Sequence, residues 1–536
     1  MNTLPLLLPH LSKGARPRPR RRRSVLAFAV ALAVLALLAL RLHGEHRFAP
    51  APDPIEKLVP STTTPLAASL RRLLGTTADA RSSSAFVLLD EAHPALLTRM
   101  ALIDLAEERL DLQYFTFEDD EVGNALIESL VAATRRGVEV RLLLDDVELP
   151  GREALLARLA ADNGRFDVRV FNPTVLRSFR PLEYVARFPR ATRRMHNESL
   201  SADAVAAVVG GRDIGNGYFD IETNKPFEDL DVLALGAVAG EVAAQFDAYW
   251  HGGLAVDVAR LSGPADASAY REWEARRAEA SEVHRGEVAE RGDIAIRRFV
   301  AGTLEAHPDE GEILFDQPWK VVSALHDEGG HLAPRILELL ASAEEELLLS
   351  SPYLIPDREI MRMFRDLRAR GVRVTLLTNS LAANDVPLVH AGYRDYRHEL
   401  LEIGIRLLEF KPTEGDPGRW SLFGSGRTTL HAKAFVVDGA RSFVGSFNLD
   451  PRSAMHNTEM GVLIESESFA ASLRERLGRE LSSRAWEVVL GEEGTLEWHE
   501  PDERGNDVVH RREPGTRWWQ RAGIYLASWL PIAWLL

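Results

Sequence analysis

The chain has 536 residues, 46% hydrophobic and 27% charged, which is too long for one ordinary core and too apolar for a disordered chain. No cysteine is present, so a disulfide framework, a thiolate metal site and a Cys nucleophile are excluded. The net charge is −15, and seven of the basic side chains lie within residues 1–23, so the body is more acidic still and ill suited to binding nucleic acid by phosphate neutralisation.

The basic N-terminus (1–23) is followed by an uncharged run, Val25–Leu40, inside the segment 24–42. At 1.5 Å per residue the run is about 24 Å long, slightly short of a ~30 Å hydrocarbon core, and its arginine flanks can snorkel. It reads as a transmembrane helix or signal anchor, with a cleaved signal peptide as the alternative. By the positive-inside rule the N-terminus stays in the cytoplasm and the rest lies across the membrane. Residues 43–84, rich in Pro, Thr, Ser and Ala, read as a tether with one short helix at Leu66–Leu74.

A β-helix-β pattern then occurs twice, at Leu110–Asp146 and at Leu347–Ser380. Each copy has a β run, an amphipathic helix stopped at Arg-Gly, and a second β run (Val138–Leu144, Val372–Leu377), as in a βαβ unit with parallel strands. Gly137 and Gly371 are 234 residues apart, and a second pair of landmarks, His196 and His431, are 235 apart. The near-constant offset predicts an α/β fold of two pseudo-symmetric halves, each a mixed, largely parallel sheet flanked by helices. The halves are expected near 85–260 and 315–495, joined by a charged, helix-prone connection at 261–314. The tail, 496–536, holds Trp518, Trp519, Trp529 and Trp534, four of the ten tryptophans. It is too short and too interrupted by Pro531 to span a membrane, and reads either as lying at its interface or as packed on the protein's own surface.

The residues that carry chemistry form one pattern: His431, Lys433, Asp438, Gly445, Ser446, Asn448. Positions two apart on a strand share a face, so His431 and Lys433 project together, and Ser446 and Asn448 repeat the relation with neutral donors. An imidazole, an ammonium and small polar donors suit an anionic oxygen cluster such as a phosphate diester. The first copy reads His196, Glu198, Asp203, Gly210, Gly211, Asp213. His390, His398 and His456 have no ligand spacing, and neither a metal nor another cofactor is expected.

These motifs resemble those of the phospholipase D superfamily. The stretches Leu377–Pro412, GSFNLDPRSAMHNTEMG and SWLPIAWLL narrow the resemblance to its bacterial cardiolipin synthase branch. The resemblance implies metal-free phosphatidyl transfer through a phosphohistidine, with phospholipid substrates: phosphatidylglycerol, and phosphatidylethanolamine as a second candidate. It places the chain in the bacterial inner membrane, with the catalytic body on the periplasmic side. His196 matches the attacking histidine and His431 the acid/base, while Asp203 and Asp438 complete the catalytic motifs. Lys433, Ser446, Asn448, Gly211 and Asp213 match phosphate binders. Glu459 matches a carboxylate that orients an imidazole, with Asp231 as its counterpart in the first half.

One position departs: glutamate 198 stands where the family has lysine. At ~4 Å and an effective dielectric of ~20 a unit-charge contact is about 4 kcal/mol, so the exchange can cost about 10³-fold in rate. Three readings stay open: an impaired transferase, a silent lipid-binding homologue, or an active enzyme in which Arg193 or Arg194 replaces the missing cation. Hydrolysis of a phosphodiester by water is the alternative chemistry.

Overall fold

The computed structural model describes residues 61–74, 83–262 apart from 148, 150 and 222–225, single positions between 268 and 306, then 307–323, 329–412, 428–501 and 507–529. The apolar run Val25–Leu40 lies outside the described residues. Among those described, no helix is long and apolar enough to cross a membrane.

The first half contributes β1 (Ser84–Leu89), β2 (Arg109–Tyr114), β3 (Glu139–Asp145), β4 (Phe166–Phe171), β5 (Met195–His196), β6 (Ser199–Ala202), β7 (Ala206–Gly210), β8 (Phe227–Glu228), β9 (Asp231–Gly236) and β10 (Ala255–Asp257). The second contributes β11 (His307–Pro308), β12 (Glu310–Phe315), β13 (Glu346–Ser350), β14 (Arg373–Asn379), β15 (Arg406–Phe410), β16 (Thr429–Leu430), β17 (Lys433–Val437), β18 (Arg441–Gly445), β19 (Thr458–Glu465), β20 (Ala485–Leu490), β21 (Leu496–Pro501) and β22 (Asp507–His510). One sheet has the order β10-β4-β3-β2-β6-β7-β9-β1-β11, the other β12-β19-β18-β17-β13-β14-β15-β20-β21-β22. Seven strands correspond one to one: β4-β3-β2-β6-β7-β9-β1 and β15-β14-β13-β17-β18-β19-β12. The duplication inferred from spacing is therefore a duplication of strand order.

The expectation of largely parallel sheets needs correction. Within the two strand orders only β2-β3-β4 and β13-β14-β15 run parallel, and the strands of the histidine motifs are antiparallel hairpins. The cause is local. Asp203 and Ala204, and Asp438 and Gly439, all have positive φ, and this left-handed pair turns the chain straight back on itself.

The crossover helices α1 (Glu121–Arg136) and α2 (Arg358–Ala369) obey their end signals. Asp120 caps the first by accepting the Gly123 N–H, and Asp357 caps the second from Glu359 and Ile360. Gly137 (φ 101°) and Gly371 (φ 87°) end them in the left-handed region.

Each sheet buries both faces, which explains why its strands read as continuous apolar runs. In β17, Phe435 and Val437 face the second half's own helices, whereas Ala434 and Val436 join a cluster that also holds Ala207, Val209, Val232 and Ala234 of the first half. The two sheets thus share a core along their motif strands. The second sheet runs past residue 495, where the tail was expected to begin, and β11, from the expected connection, joins the edge of the first sheet. The helix expected at Leu66–Leu74 spans Pro65–Leu74 and buries Leu66, Ala67 and Leu70 in the first core.

The tail is pinned to the body. Helix α3 (Pro387–Tyr393) meets the tail helix α4 (Trp518–Ala527) through Ala391 and Ile524, and buried His390 and Arg397 both bond Glu513. The opposite face of α4 is open, with Trp518 74%, Leu526 63% and Trp529, just beyond it, 71% exposed.

Candidate active site

Each motif histidine sits on a segment that crosses to the other half. Strand β5 leaves the first sheet and pairs in parallel with the start of β19, with Met195 opposite Thr458 and His196 opposite Glu459. Reciprocally β16, just before His431, pairs with β8, and the His431 N–H donates to the Glu228 carbonyl at 2.7 Å. This exchange gives each imidazole a carboxylate from the other half. His196 Nδ1 is 2.9 Å from Glu459 Oε2, and His431 Nδ1 is 2.6 Å from Asp229 Oδ2. Both Nδ1 atoms are thereby committed to carboxylates, so any chemistry falls to the Nε2 atoms, of which that of His431 lies 3.0 Å from Lys433 Nζ.

The sequence-predicted Asp231 is not that carboxylate. It is buried between two guanidiniums, 3.0 Å from Arg99 and 3.1 Å from Arg212. The strand register explains the slip: Gly210 stands opposite Asp231 as Gly445 stands opposite Gly461, so the residue equivalent to Glu459 lies two places earlier, at Asp229. Aligning Val232-Leu233 of DVLAL with Val462-Leu463 of MGVLI carried this signal, since it sets Asp231 against Gly461.

The surroundings of the two carboxylates differ. Glu459 accepts from Ser446 Oγ at 2.6 Å and Ser453 Oγ at 2.9 Å. Asp229 accepts the Leu230 N–H at 2.8 Å, and a Cβ on Gly211 would lie 2.5 Å from its Oδ1, so Gly211 serves by leaving room. Ser446, expected among the phosphate binders, is thus engaged with Glu459. Asn448 is buried with no hydrogen-bond partner for its Oδ1. Lys433 Nζ rests against the His431 ring, 2.8 and 3.0 Å from its nitrogens. Asp213 accepts the Thr116 N–H at 2.8 Å, and burial raises it to about 6. Aromatic rings that the sequence reading missed wall the site: Phe115 meets His196 edge-on at 5.0 Å, and Tyr218 and Phe227 lie 5.7 and 5.3 Å from the His431 ring.

Asp203 and Asp438 are corrected from catalytic to scaffolding positions. Asp203 accepts the N–H groups of Glu107, Glu108 and Arg109, and Asp438 those of Glu344, Glu345 and Glu346. They clamp the entries to β2 and β13 from the far ends of the motif strands. Each lies seven residues along the chain from its histidine, across the motif strand, which at up to about 3.3 Å per residue reaches about 23 Å and keeps it away from the imidazole.

The charges around the two imidazoles are unequal. Burial disfavours the His196 imidazolium, yet the carboxylate influence on it, led by Glu459 on its Nδ1, outweighs that and raises it to about 9. For His431, burial and the adjacent Lys433 together outweigh Asp229, and its pKa falls below the ordinary histidine value. Glu198 Oε1 lies 3.9 Å from His196 Nε2, and neither Glu198 oxygen makes a hydrogen bond. The cations expected to compensate for it do not reach it. Arg193 donates to the Ser323 and Lys320 carbonyls, and Arg194 bonds Asp145 and the Ala191 carbonyl. Among the described residues, no group of three or more His, Asp or Glu side chains is arranged to hold a metal.

The two duplicated halves thus cross-pair their motif histidines with carboxylates beside one lysine. The sequence matches the family described as cardiolipin synthase, PLD-like domain, at residues 100–250 and 336–481, one stretch in each half, and the chain belongs to that family. It is 38% identical to cardiolipin synthase C of Escherichia coli (strain K12), over 84% of this chain and 95% of that protein. It is 29% identical to an uncharacterised protein of Helicobacter pylori (strain J99), over 82% of this chain and 87% of that one. Among solved structures, the phosphatidylserine synthase of Haemophilus influenzae aligns with a TM-score of 0.53 at 15% identity, covering 75% of this chain and 87% of that one, which supports the fold.

Proposed function

We propose that the protein is a membrane-bound phosphatidyltransferase that moves a phosphatidyl group from one phospholipid to a hydroxyl of another, with phosphatidylglycerol as donor and acceptor and cardiolipin as product. The observation that carries this reading is the cross-paired site: two imidazoles, each oriented through Nδ1 by a carboxylate of the opposite half, with Lys433 beside them. The 38% identity to a cardiolipin synthase supports transfer over hydrolysis.

The unequal charges suggest how the two histidines divide the work. His431, kept neutral by burial and Lys433, attacks phosphorus through Nε2, while its Nδ1–H stays with Asp229. The P–O bond to the leaving glycerol breaks, and protonated His196 gives its Nε2 proton to the departing oxygen. Neutral His196 then takes the proton of the acceptor hydroxyl, whose oxygen attacks phosphorus, and the P–N bond breaks to restore His431. This reverses the order implied by the family resemblance. The reason is specific to this chain: the motif lysine is kept beside His431 and replaced by a carboxylic residue beside His196. Lys433 and Asn448 meet the non-bridging oxygens. The open face of α4, with Trp518, Leu526 and Trp529, rests in the headgroup layer, where tryptophan is favoured. Val25–Leu40 supplies the anchor, and the body lies on the periplasmic side.

Incubating the full chain with phosphatidylglycerol vesicles and analysing the lipids by mass spectrometry tests the reading. Cardiolipin with released glycerol is expected. Phosphatidic acid as the sole product would replace transfer by hydrolysis.

A further inference from the structure

Glu198 occupies the motif place that Lys433 fills in the other half, two residues after the histidine, but with the wrong charge for a phosphate site. It is 1% exposed and both its oxygens lack a hydrogen bond within the protein. An ionised carboxylate left so is costly, because burial removes its water and no hydrogen bond replaces it, with His196 Nε2 staying 3.9 Å away. Charged and titratable groups face it from four directions: His196 on β5, Asp213 after β7, Lys433 on β17 and Glu459 on β19. Asp213 and Glu459 are carboxylic, and they oppose a third negative charge in the same pocket.

We propose that Glu198 is a neutral carboxylic acid that donates its O–H to a non-bridging oxygen of the bound phosphate diester, taking over with a proton the place of the family's lysine. The proposal rests on the phospholipase D-type reading of the site and adds a phosphate-binding group to it. Geometry supports it: the group is buried, unpartnered and beside His196 Nε2, the atom that must reach the leaving oxygen. Burial also pushes the Glu198 carboxyl well above its ordinary range, in the direction a neutral donor requires. A carboxylic acid so placed donates one hydrogen bond without repelling the anion. It also explains how Glu198 and Asp213 can both line a pocket for a negatively charged ligand: Asp213 is raised as well, so the pocket takes up protons instead of accumulating charge. Ionisation at high pH would then expel the diester, so phosphate affinity should fall on the alkaline side.

Infrared difference spectra of the full-length protein, native against Glu198→Gln, read the group directly, with sodium tungstate as the phosphate probe. The expected result is a protonated-carboxyl band at neutral pH that is absent in Glu198→Gln and moves to lower frequency when tungstate binds. A carboxylate band alone, or a protonated band indifferent to tungstate, would overturn the proposal. Turnover adds a second readout. Glu198→Gln, which keeps a neutral donor, should stay within about tenfold of the native rate, whereas Glu198→Ala should lose about a hundredfold, as when one oxyanion donor is removed. Equal losses in the two variants, or a gain in both, would also overturn it. A tungstate-sensitive band in a protein that turns over no lipid would leave the neutral donor standing and refute the transferase reading. Turnover without the band would do the reverse.

Discussion

Changing Asp229 to Asn separates the site's chemistry from its scaffold. The Asp229 carboxylate is buried and 2.6 Å from His431 Nδ1, and it is held down to about 2 because Lys433 and His431 outweigh its desolvation. When His431 bonds to phosphorus its ring becomes positive. A unit charge about 4 Å from that ring, at an effective dielectric of about 20, is worth about 4 kcal/mol, or about 10³-fold in rate. Asparagine keeps the shape and can still accept from Nδ1, so the fold should hold while kcat falls about a thousandfold. Asp231→Asn is the control. It removes the shared partner of Arg99 and Arg212, a buried cluster whose disruption costs about 3–5 kcal/mol, but it touches no imidazole. Its denaturation midpoint should drop while the folded fraction keeps its turnover. Steady-state kinetics beside denaturant titration on both variants decides the matter. If Asp231→Asn lost turnover at native stability and Asp229→Asn stayed active, the assignment of the orienting acid would be refuted.

Glu198→Lys should raise turnover by about tenfold, the margin of a charge-assisted over a neutral hydrogen bond, and a decrease would contradict the pocket's placement of that residue. Asp438→Ala leaves the N–H groups of Glu344, Glu345 and Glu346 without their acceptor, so about 3 kcal/mol of stability should be lost in denaturant titration with kcat of the folded enzyme kept. His196, raised to about 9, contributes stability that is fully present below about pH 6.5 and lost as pH rises through 9, up to about 3 kcal/mol. Unfolding midpoints should therefore be lower at pH 9 than at 6.5, with the slope diminished in His196→Asn. Replacing Trp518 and Trp529 together by Ser should weaken binding to anionic vesicles about 30-fold, from about 2 kcal/mol of lost apolar burial, in a flotation assay.

The duplication was legible because Arg-Gly helix stops and paired histidines recur at one offset, and such local signals survive without tertiary information. That the sheets are mixed was legible too, but not how few of their strands run parallel, because strand direction depends on the left-handed turns at Asp203 and Asp438, whose motif role suggested chemistry instead. The orienting acids show the same limit. Glu459 was found through its motif, but Asp229 lies just past a two-residue strand, β8, whose partner, β16, is in the other half, and only register separates it from Asp231. Arg193 and Arg194 looked suited to neutralise Glu198 by proximity in sequence. The chain turns their guanidiniums toward Ser323 and Asp145, a long-range choice that spacing does not encode.

In the proposed reaction two histidines share one phosphodiester and His431 carries the covalent bond. The most direct measurement is alkaline quenching during turnover of labelled phosphatidylglycerol, followed by mass-spectrometric mapping of the phosphatidyl-modified peptide. Label is expected on the peptide containing His431, accumulating when His196 is replaced by Asn and absent when His431 is. Label on His196, or none on either peptide while cardiolipin forms, would contradict it.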